Sequence, residues 1–203
     1  ALFEILVLGT LSYTLIPLFL KYKRRSKNFS ENLSATINLF VLLFFSLTIL
    51  IVIFTPQLVQ KITPGFTPEI QKEISFYTRI ILLLQVPFLT FGNILIAIGQ
   101  SEKRFILTSI APLLYNLAII FSTLILANQY SIQSVIIGVV LGSFLFFISQ
   151  IPILKSADFK YKLIFHFNKS FQEFLKLSIV RILLTIAKQI EGFFELALAT
   201  LLG

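Results

Sequence analysis

The sequence of 203 residues contains no cysteine, no methionine and no tryptophan, and it has a single histidine. The absence of cysteine excludes disulfide bonds, thiol catalysis and thiolate metal ligands. Charged residues are also scarce, at 13% of the chain against about 25% in soluble domains. Hydrophobic residues make up 57%, and the mean hydropathy is +0.93. This composition predicts a chain embedded in a membrane.

The apolar residues are gathered into runs of about twenty, which is the length of a helix that crosses a bilayer. Their lack of strict alternation argues against barrel strands. We therefore predict an all-α, polytopic transmembrane helix bundle. About six spans are expected, at 1–20, 33–54, 74–98, 105–127, 132–153 and 175–202. The proline-rich segment 55–73 is predicted to be a kinked surface loop, and Gly138 and Gly142 a site of close helix packing.

Basic residues alternate between the connecting segments. The segments after the first, third and fifth spans carry twelve lysines and arginines, whereas the other side carries only Lys61, Lys72 and Arg79. The positive-inside rule then places residue 1 on the outer side and the segment 21–32 in the cytoplasm. The formal net charge of +8 is explained by this topology and by contact with anionic membrane lipids, and no nucleic-acid partner is expected.

The last span carries four ionisable residues in an otherwise apolar helix, namely Arg181, Lys188, Glu191 and Glu195. At 100° per residue, all four fall within about 80° of one another on the helix surface. Ionisable groups that face lipid are costly, so this charged stripe should face protein or water. Two interpretations stay open: an internal set of ion pairs that fixes packing, or the wall of a polar cavity for a charged substrate. The cavity residues would then be Arg181, Lys188 and Glu191.

Outside the stripe, the sequence offers little chemistry. Arg79 is a candidate charge at the outer mouth, although an arginine near the end of a span can also extend its guanidinium to the membrane surface. There is no paired-carboxylate motif, no glycine-rich phosphate loop and no metal-ligand spacing. We therefore expect no enzymatic activity, no bound metal and no cofactor.

Several short motifs, taken in order, resemble those of the MurJ (MviN-like) lipid II flippases, which belong to the multidrug/oligosaccharidyl-lipid/polysaccharide exporter superfamily. The most specific is Arg104-Phe105 followed by Ala111–Asn116, which is similar to the family pattern R-F-x-x-P-A-x-A-P-x-L-x-N. The other matching stretches are Gly9–Ser12 with Ile16–Phe19, Thr63–Phe66, Thr78–Ile80 with Pro87, Gly138–Gly142 with Gln150–Pro152, and Lys188–Ile190 with Glu195.

The resemblance implies helices two to seven of about fourteen in a partial MATE-like flippase fold. Residues 1–154 would form the N-terminal lobe without its first helix, 155–174 a cytoplasmic linker, and 175–203 the first helix of the C-terminal lobe. It implies an activity in peptidoglycan synthesis in the bacterial cytoplasmic (inner) membrane. Lipid II would be carried from the inner to the outer leaflet by alternating access. Arg181 and Lys188 would face its headgroup, and Glu195 would bind a coupling monovalent cation.

The chain also departs from the family pattern. The family usually has an arginine pair shortly before the first motif and a glutamate before its glycine, whereas this chain has Phe3, Glu4 and Leu8 there. The alternatives are therefore a flippase for another polyprenyl-linked glycan, of the O-antigen type, or a non-transporting scaffold in a cell-wall complex. A drug/cation antiporter is a weaker alternative, and a membrane glycosyltransferase is weaker still because no acidic metal-binding motif is present.

Overall fold

The computed structural model describes residues 9–25, 28–156 and 159–202, and the described part is helical apart from short connections and one segment without regular secondary structure. It contains six helices and no strand within those ranges. The helices are α1 (Gly9–Arg25), α2 (Phe29–Ile62), α3 (Pro68–Ser101), α4 (Phe105–Tyr130), α5 (Ile132–Ser156) and α6 (Lys169–Leu202). Each predicted span overlaps one helix, with residues 1–8 of the first span outside the described part, and the prediction of a polytopic helical bundle is confirmed.

Four of these helices, α2 to α5, are long and apolar enough to cross a membrane. Helix α2 has 34 residues and is therefore about 51 Å long, well beyond the roughly 30 Å of a hydrocarbon core. The prediction of a loop over 55–73 is wrong in extent. Helix α2 continues through Pro56 to Ile62, and α3 begins at Pro68, where a proline is tolerated because the first amide has no helical partner.

Successive helices run in opposite directions, so α1, α3 and α5 end where α2, α4 and α6 begin. We call this the basic end of the bundle, because the basic segments lie there, and we call the other the opposite end. An apolar core joins α1, α2, α3 and α6, and α6 packs against α1 and α2. Its largest side chains include Phe19, Phe40 and Phe174. On α4, by contrast, Ile106, Leu124 and Ile125 are strongly exposed, as expected for a face in contact with lipid.

Several hydroxyl groups within the helices donate to a carbonyl oxygen four residues earlier in the same helix. Thr48 donates to the carbonyl of Phe44 at 2.9 Å, and Thr90 donates to that of Val86 at 2.7 Å. This four-residue back-bonding removes the cost of an unpaired polar group where no water is available. Threonines bonded in this way are therefore compatible with a membrane location.

Helices α4 and α5 approach most closely at the two predicted glycines. A Cβ atom at Gly138 would lie 2.8 Å from the Cα of Ile119, and one at Gly142 would lie 2.7 Å from the carbonyl oxygen of Tyr115. The neighbouring atoms are backbone, so they cannot move aside as a flexible side chain would. The prediction of close packing at this pair is confirmed.

We expect Gly138→Ala to lower the free energy of unfolding by about 1–2 kcal/mol, because the new methyl group overpacks the α4–α5 contact. Gly192→Ala is the matched control, since a Cβ there would meet no atom within 4 Å. The control should be neutral or stabilising by about 0.5–1 kcal/mol, the usual gain of alanine over glycine in a helix. Denaturant unfolding in micelles measures both. Equal effects of the two substitutions would contradict the close approach.

Candidate functional site

The charged stripe lies on α6, which is one continuous helix from Lys169 to Leu202. The first part of α6 is anchored in the core through Phe171 and Phe174. The side chains of Arg181, Lys188 and Glu191 lie outside the described part of the chain, so the cavity role of these residues stays a prediction. Glu195 is described and is exposed, and no described residue forms an ion pair with it. Its role in binding a cation also stays a prediction.

Arg79 of α3 contacts the backbone of α2 one turn before Pro56. Its Nε donates to the carbonyl oxygen of Val52 at 3.0 Å, and its Nη2 lies 3.4 Å from the carbonyl oxygen of Ile53. In an unbroken helix the carbonyl of Val52 would accept from the amide of residue 56, but proline has no N–H group. The guanidinium of Arg79, which lies on α3, therefore supplies the hydrogen bond that Pro56 cannot donate within α2.

Arg79 also lines a polar groove of about 590 Å³ between α2 and α3 at the opposite end of the bundle. The groove carries amide and cationic side chains that a glycan or an anion could contact. Besides Arg79, its polar lining residues are Gln57, Gln60, Gln71, Lys72 and Ser75. The prediction that Arg79 is a charge at an outer mouth is compatible with this place and stays a prediction.

Three ion pairs join different elements at the basic end. Lys21 of α1 contacts Glu173 of α6 at 2.7 Å, and Lys162 contacts Glu31 of α2 at 2.6 Å. Lys23 pairs with Glu102, which follows α3. All three pairs are partly exposed, so each contributes at most about 1 kcal/mol. Their value is positional, because two of them hold the starts of α2 and α6 against neighbouring elements and the third joins the ends of α1 and α3. The sequence analysis missed these acidic partners, whose only signal was a carboxylate within each basic segment.

The segment 159–168, which we call the strap, has no regular secondary structure before α6 begins, crosses the basic end and is bound to one face of α2. Ser30, Ser34 and Asn38 lie four residues apart on that face. The amide of Lys160 donates to Oγ of Ser30 at 3.3 Å, and the amide of Lys162 donates to Oγ of Ser34 at 3.0 Å. Side-chain oxygens on a helix thus serve the backbone of the strap as a neighbouring strand would.

Asn38 completes this ladder and is itself buried. Its Nδ2 donates to the carbonyl oxygens of Lys162 at 3.1 Å and Ile164 at 2.9 Å. Its Oδ1 accepts from the hydroxyl of Tyr161 at 2.6 Å. One amide side chain therefore satisfies three polar groups of the strap. This role was not predicted from the sequence, where the only signal was a polar residue in an apolar span.

The strap ends at Asn168, which caps α6. Oδ1 of Asn168 accepts from the amide of Phe171 at 2.7 Å, as an N-cap residue does. Its Nδ2 donates to the carbonyl oxygen of Asn32 at 3.0 Å. The first turn of α6 is thereby joined directly to the first turn of α2.

Under the strap lies a second groove, of about 480 Å³, which we call the basic-end groove. Its walls come from α2, α3, α5 and the strap, and nearly all of the lining is aliphatic or aromatic. The lining includes Leu42, Phe45, Phe91, Leu95, Leu154 and Phe165. Within the described ranges there is no group of three or more His, Cys, Asp or Glu residues that could hold a metal ion.

The chain is a multi-pass helical membrane protein, as shown by its long apolar helices, its exposed apolar side chains and its basic end. Its candidate functional surfaces are the charged stripe of α6 and the two grooves. The chain belongs to the MurJ family: the model of the family described as lipid II flippase MurJ matches residues 1–203. The resemblance stated from the motifs is thus confirmed.

Two curated relatives and one solved structure give the extent of the similarity. The chain is 29% identical over 167 residues to the probable lipid II flippase MurJ of Rickettsia prowazekii (strain Madrid E), covering 79% of this chain and 32% of the relative. It is 24% identical over 175 residues to the probable lipid II flippase MurJ of Borreliella burgdorferi (strain ATCC 35210 / DSM 4680 / CIP 102532 / B31), covering 85% and 34%.

A solved structure described as lipid II flippase MurJ, inward closed conformation, matches the fold with a TM-score of 0.77 at 24% identity, covering all of this chain and 42% of that one. The likeness supports the helical architecture described above. The chain spans about a third of the length of the curated relatives that it matches.

Proposed function

We propose that this chain is the part of a lipid II flippase that contains helices two to seven, and that the whole protein moves undecaprenyl-pyrophosphate-linked muropeptide from the inner to the outer leaflet of the bacterial cytoplasmic membrane. The observation that carries the proposal is the match of the family over the entire chain. The basic end would then face the cytoplasm, in agreement with the positive-inside rule.

The physical task of such a protein is to shield a charged headgroup from hydrocarbon while no covalent bond changes. An anionic pyrophosphate needs cationic partners in a water-accessible cavity, because charged groups in lipid are costly. We assign this task to Arg181 and Lys188, with Glu191 near enough on the helix to pair with Lys188. Glu195 would bind the coupling monovalent cation. Residues 1–154 would belong to the N-terminal lobe, 155–174 to the linker and 175–203 to the start of the C-terminal lobe.

The test is complementation by the full-length gene that contains this chain, in bacteria depleted of their own lipid II flippase. We expect growth, together with lipid II that an external, membrane-impermeant probe can reach. Arg181→Gln and Lys188→Gln should each lower outward movement at least about tenfold, since each removes an ionic contact worth about 1.5–3 kcal/mol. Expression and membrane insertion are measured for every variant.

Lys176→Gln is the matched control, because Lys176 is an exposed cation on the same helix, about 140° from Arg181. It should leave transport close to that of the unaltered protein. Absence of rescue by a well-inserted protein would overturn the assignment of lipid II, and transport of another polyprenyl-linked glycan or a scaffold role would then be examined. If all variants restored growth equally, the charged stripe of α6 would be assigned to helix packing rather than to substrate binding.

A further inference from the structure

The basic-end groove presents hydrocarbon almost exclusively, since its polar groups are already used. Both hydrogens of the Asn38 amide are donated to carbonyl oxygens of the strap, and its oxygen accepts from Tyr161. A polar small molecule would therefore find few free partners there. The volume of about 480 Å³ lies within the range of ligand pockets, and the groove extends along about two turns of α2, α3 and α5. Its shape and chemistry favour a hydrocarbon chain.

Two exposed lysines, which do not themselves line the groove, are chain neighbours of its lining residues, and several exposed apolar side chains lie on the strap. Lys155 directly follows the lining residue Leu154, and Lys160 lies between the lining residues Phe159 and Tyr161. Both lysines are exposed. Farther along the strap, Leu163, Phe165 and Phe167 are 74%, 57% and 65% exposed. Exposed aromatic and basic side chains are typical of the boundary between hydrocarbon and lipid headgroups.

We propose that the basic-end groove binds an acyl chain of an anionic glycerophospholipid from the adjacent leaflet, whose phosphate is held at the rim by Lys155 and Lys160. The apolar lining takes the chain, and the lysines select the charge of the headgroup. The ligand is a resident membrane lipid rather than a transported molecule, so the proposal does not depend on the proposed function. A lysine near an anionic lipid surface contributes about a fivefold preference.

The absence of tryptophan makes this proposal measurable, because one introduced tryptophan is the only one in the chain. Leu154→Trp and Leu42→Trp each place the reporter in the groove, and each alone is studied in the chain reconstituted into bilayers of phosphatidylcholine and phosphatidylglycerol. Ile110→Trp on α4 is the matched control, since Ile110 is 41% exposed and Leu154 is 42% exposed. Ile110 does not line the groove.

Each lipid is brominated in turn, and quenching gives the relative association constant of the two lipids at the reporter. We expect phosphatidylglycerol to be favoured roughly fivefold or more at both groove positions. The preference at Ile110→Trp should be no more than about twofold, the level of general attraction to a basic protein. Adding Lys155→Gln and Lys160→Gln should bring the groove positions down to that level.

Equal preference at groove and control positions would overturn the proposal, as would a groove preference that survives the loss of both lysines. Two groove reporters guard against local distortion by either substitution. No lipid II is present in these bilayers, so the outcome is independent of the transport assay.

Discussion

Asn38→Ala is expected to increase the rate of tryptic cleavage after Lys160 and Lys162 about thirtyfold over Asn93→Ala. Loss of the Asn38 side chain removes three hydrogen bonds to the strap, although the carbonyl oxygen of Lys162 still accepts from the amide of Ile164. Each lost hydrogen bond to these partly exposed groups costs about 0.5–1.5 kcal/mol in the closed state. A net shift of about 2 kcal/mol toward the open strap corresponds to about a thirtyfold rise in its population.

Asn93→Ala is the matched control because Asn93 is as buried as Asn38 but donates only to the carbonyl of Leu89, in its own helix. The two variants lose the same atoms, so the cavity term cancels in their comparison. Cleavage in the exposed loop at Lys103 and Arg104 provides an internal reference for protease activity. Proteolysis reports the open population when opening and closing are fast relative to cleavage. Equal cleavage of the strap in both variants would show that the hydrogen bonds of Asn38 do not hold the strap closed.

The second large effect is expected from Arg79→Leu, which should lower the free energy of unfolding by about 2–3 kcal/mol. The substitution removes a charged donor and leaves the carbonyl of Val52 without its side-chain partner. In the Pro56→Ala background the cost should fall by about 1–2 kcal/mol, because the new amide can donate to Val52 as in an ordinary helix.

This double-mutant cycle is measured by denaturant unfolding in micelles. Lys72→Leu is the control, since Lys72 is another cation of the same groove. No hydrogen bond links it to α2 within the described residues, so its effect should add to that of Pro56→Ala within about 0.5 kcal/mol. If the effects of Arg79→Leu and Pro56→Ala were also additive, the guanidinium would not replace the amide hydrogen bond that Pro56 lacks.

The sequence predicted the helices well because the length of an apolar run has a direct physical meaning in a bilayer. It predicted the α4–α5 approach for the same kind of reason, since a Gly138–Gly142 pair has few uses besides close packing. It did not predict that α2 continues past Pro56. Local sequence indicates that a proline ends a helix. Here the hydrogen bond that Pro56 cannot donate is supplied by Arg79, which lies on another helix.

The strap was missed for a similar reason. Ser30, Ser34 and Asn38 are equally compatible with a solvated helix end, and their partners lie more than a hundred residues away in the chain. Tertiary pairing of this type leaves no local pattern. The charged stripe of α6 is the reverse case: its pattern is clear in the sequence, whereas the side chains of Arg181, Lys188 and Glu191 lie outside the described part.

The strap has a mechanical consequence for the whole molecule. A free tether of ten residues could reach about 33 Å and would let the two helices that it joins drift independently. Here the tether is fastened along its length to α2, and Asn168 bonds to the carbonyl of Asn32, so almost none of that reach is available. Movement of α6 relative to α2 must therefore keep the start of α6 next to Asn32 or break this hydrogen bond, which restricts such movement to a pivot near Asn168.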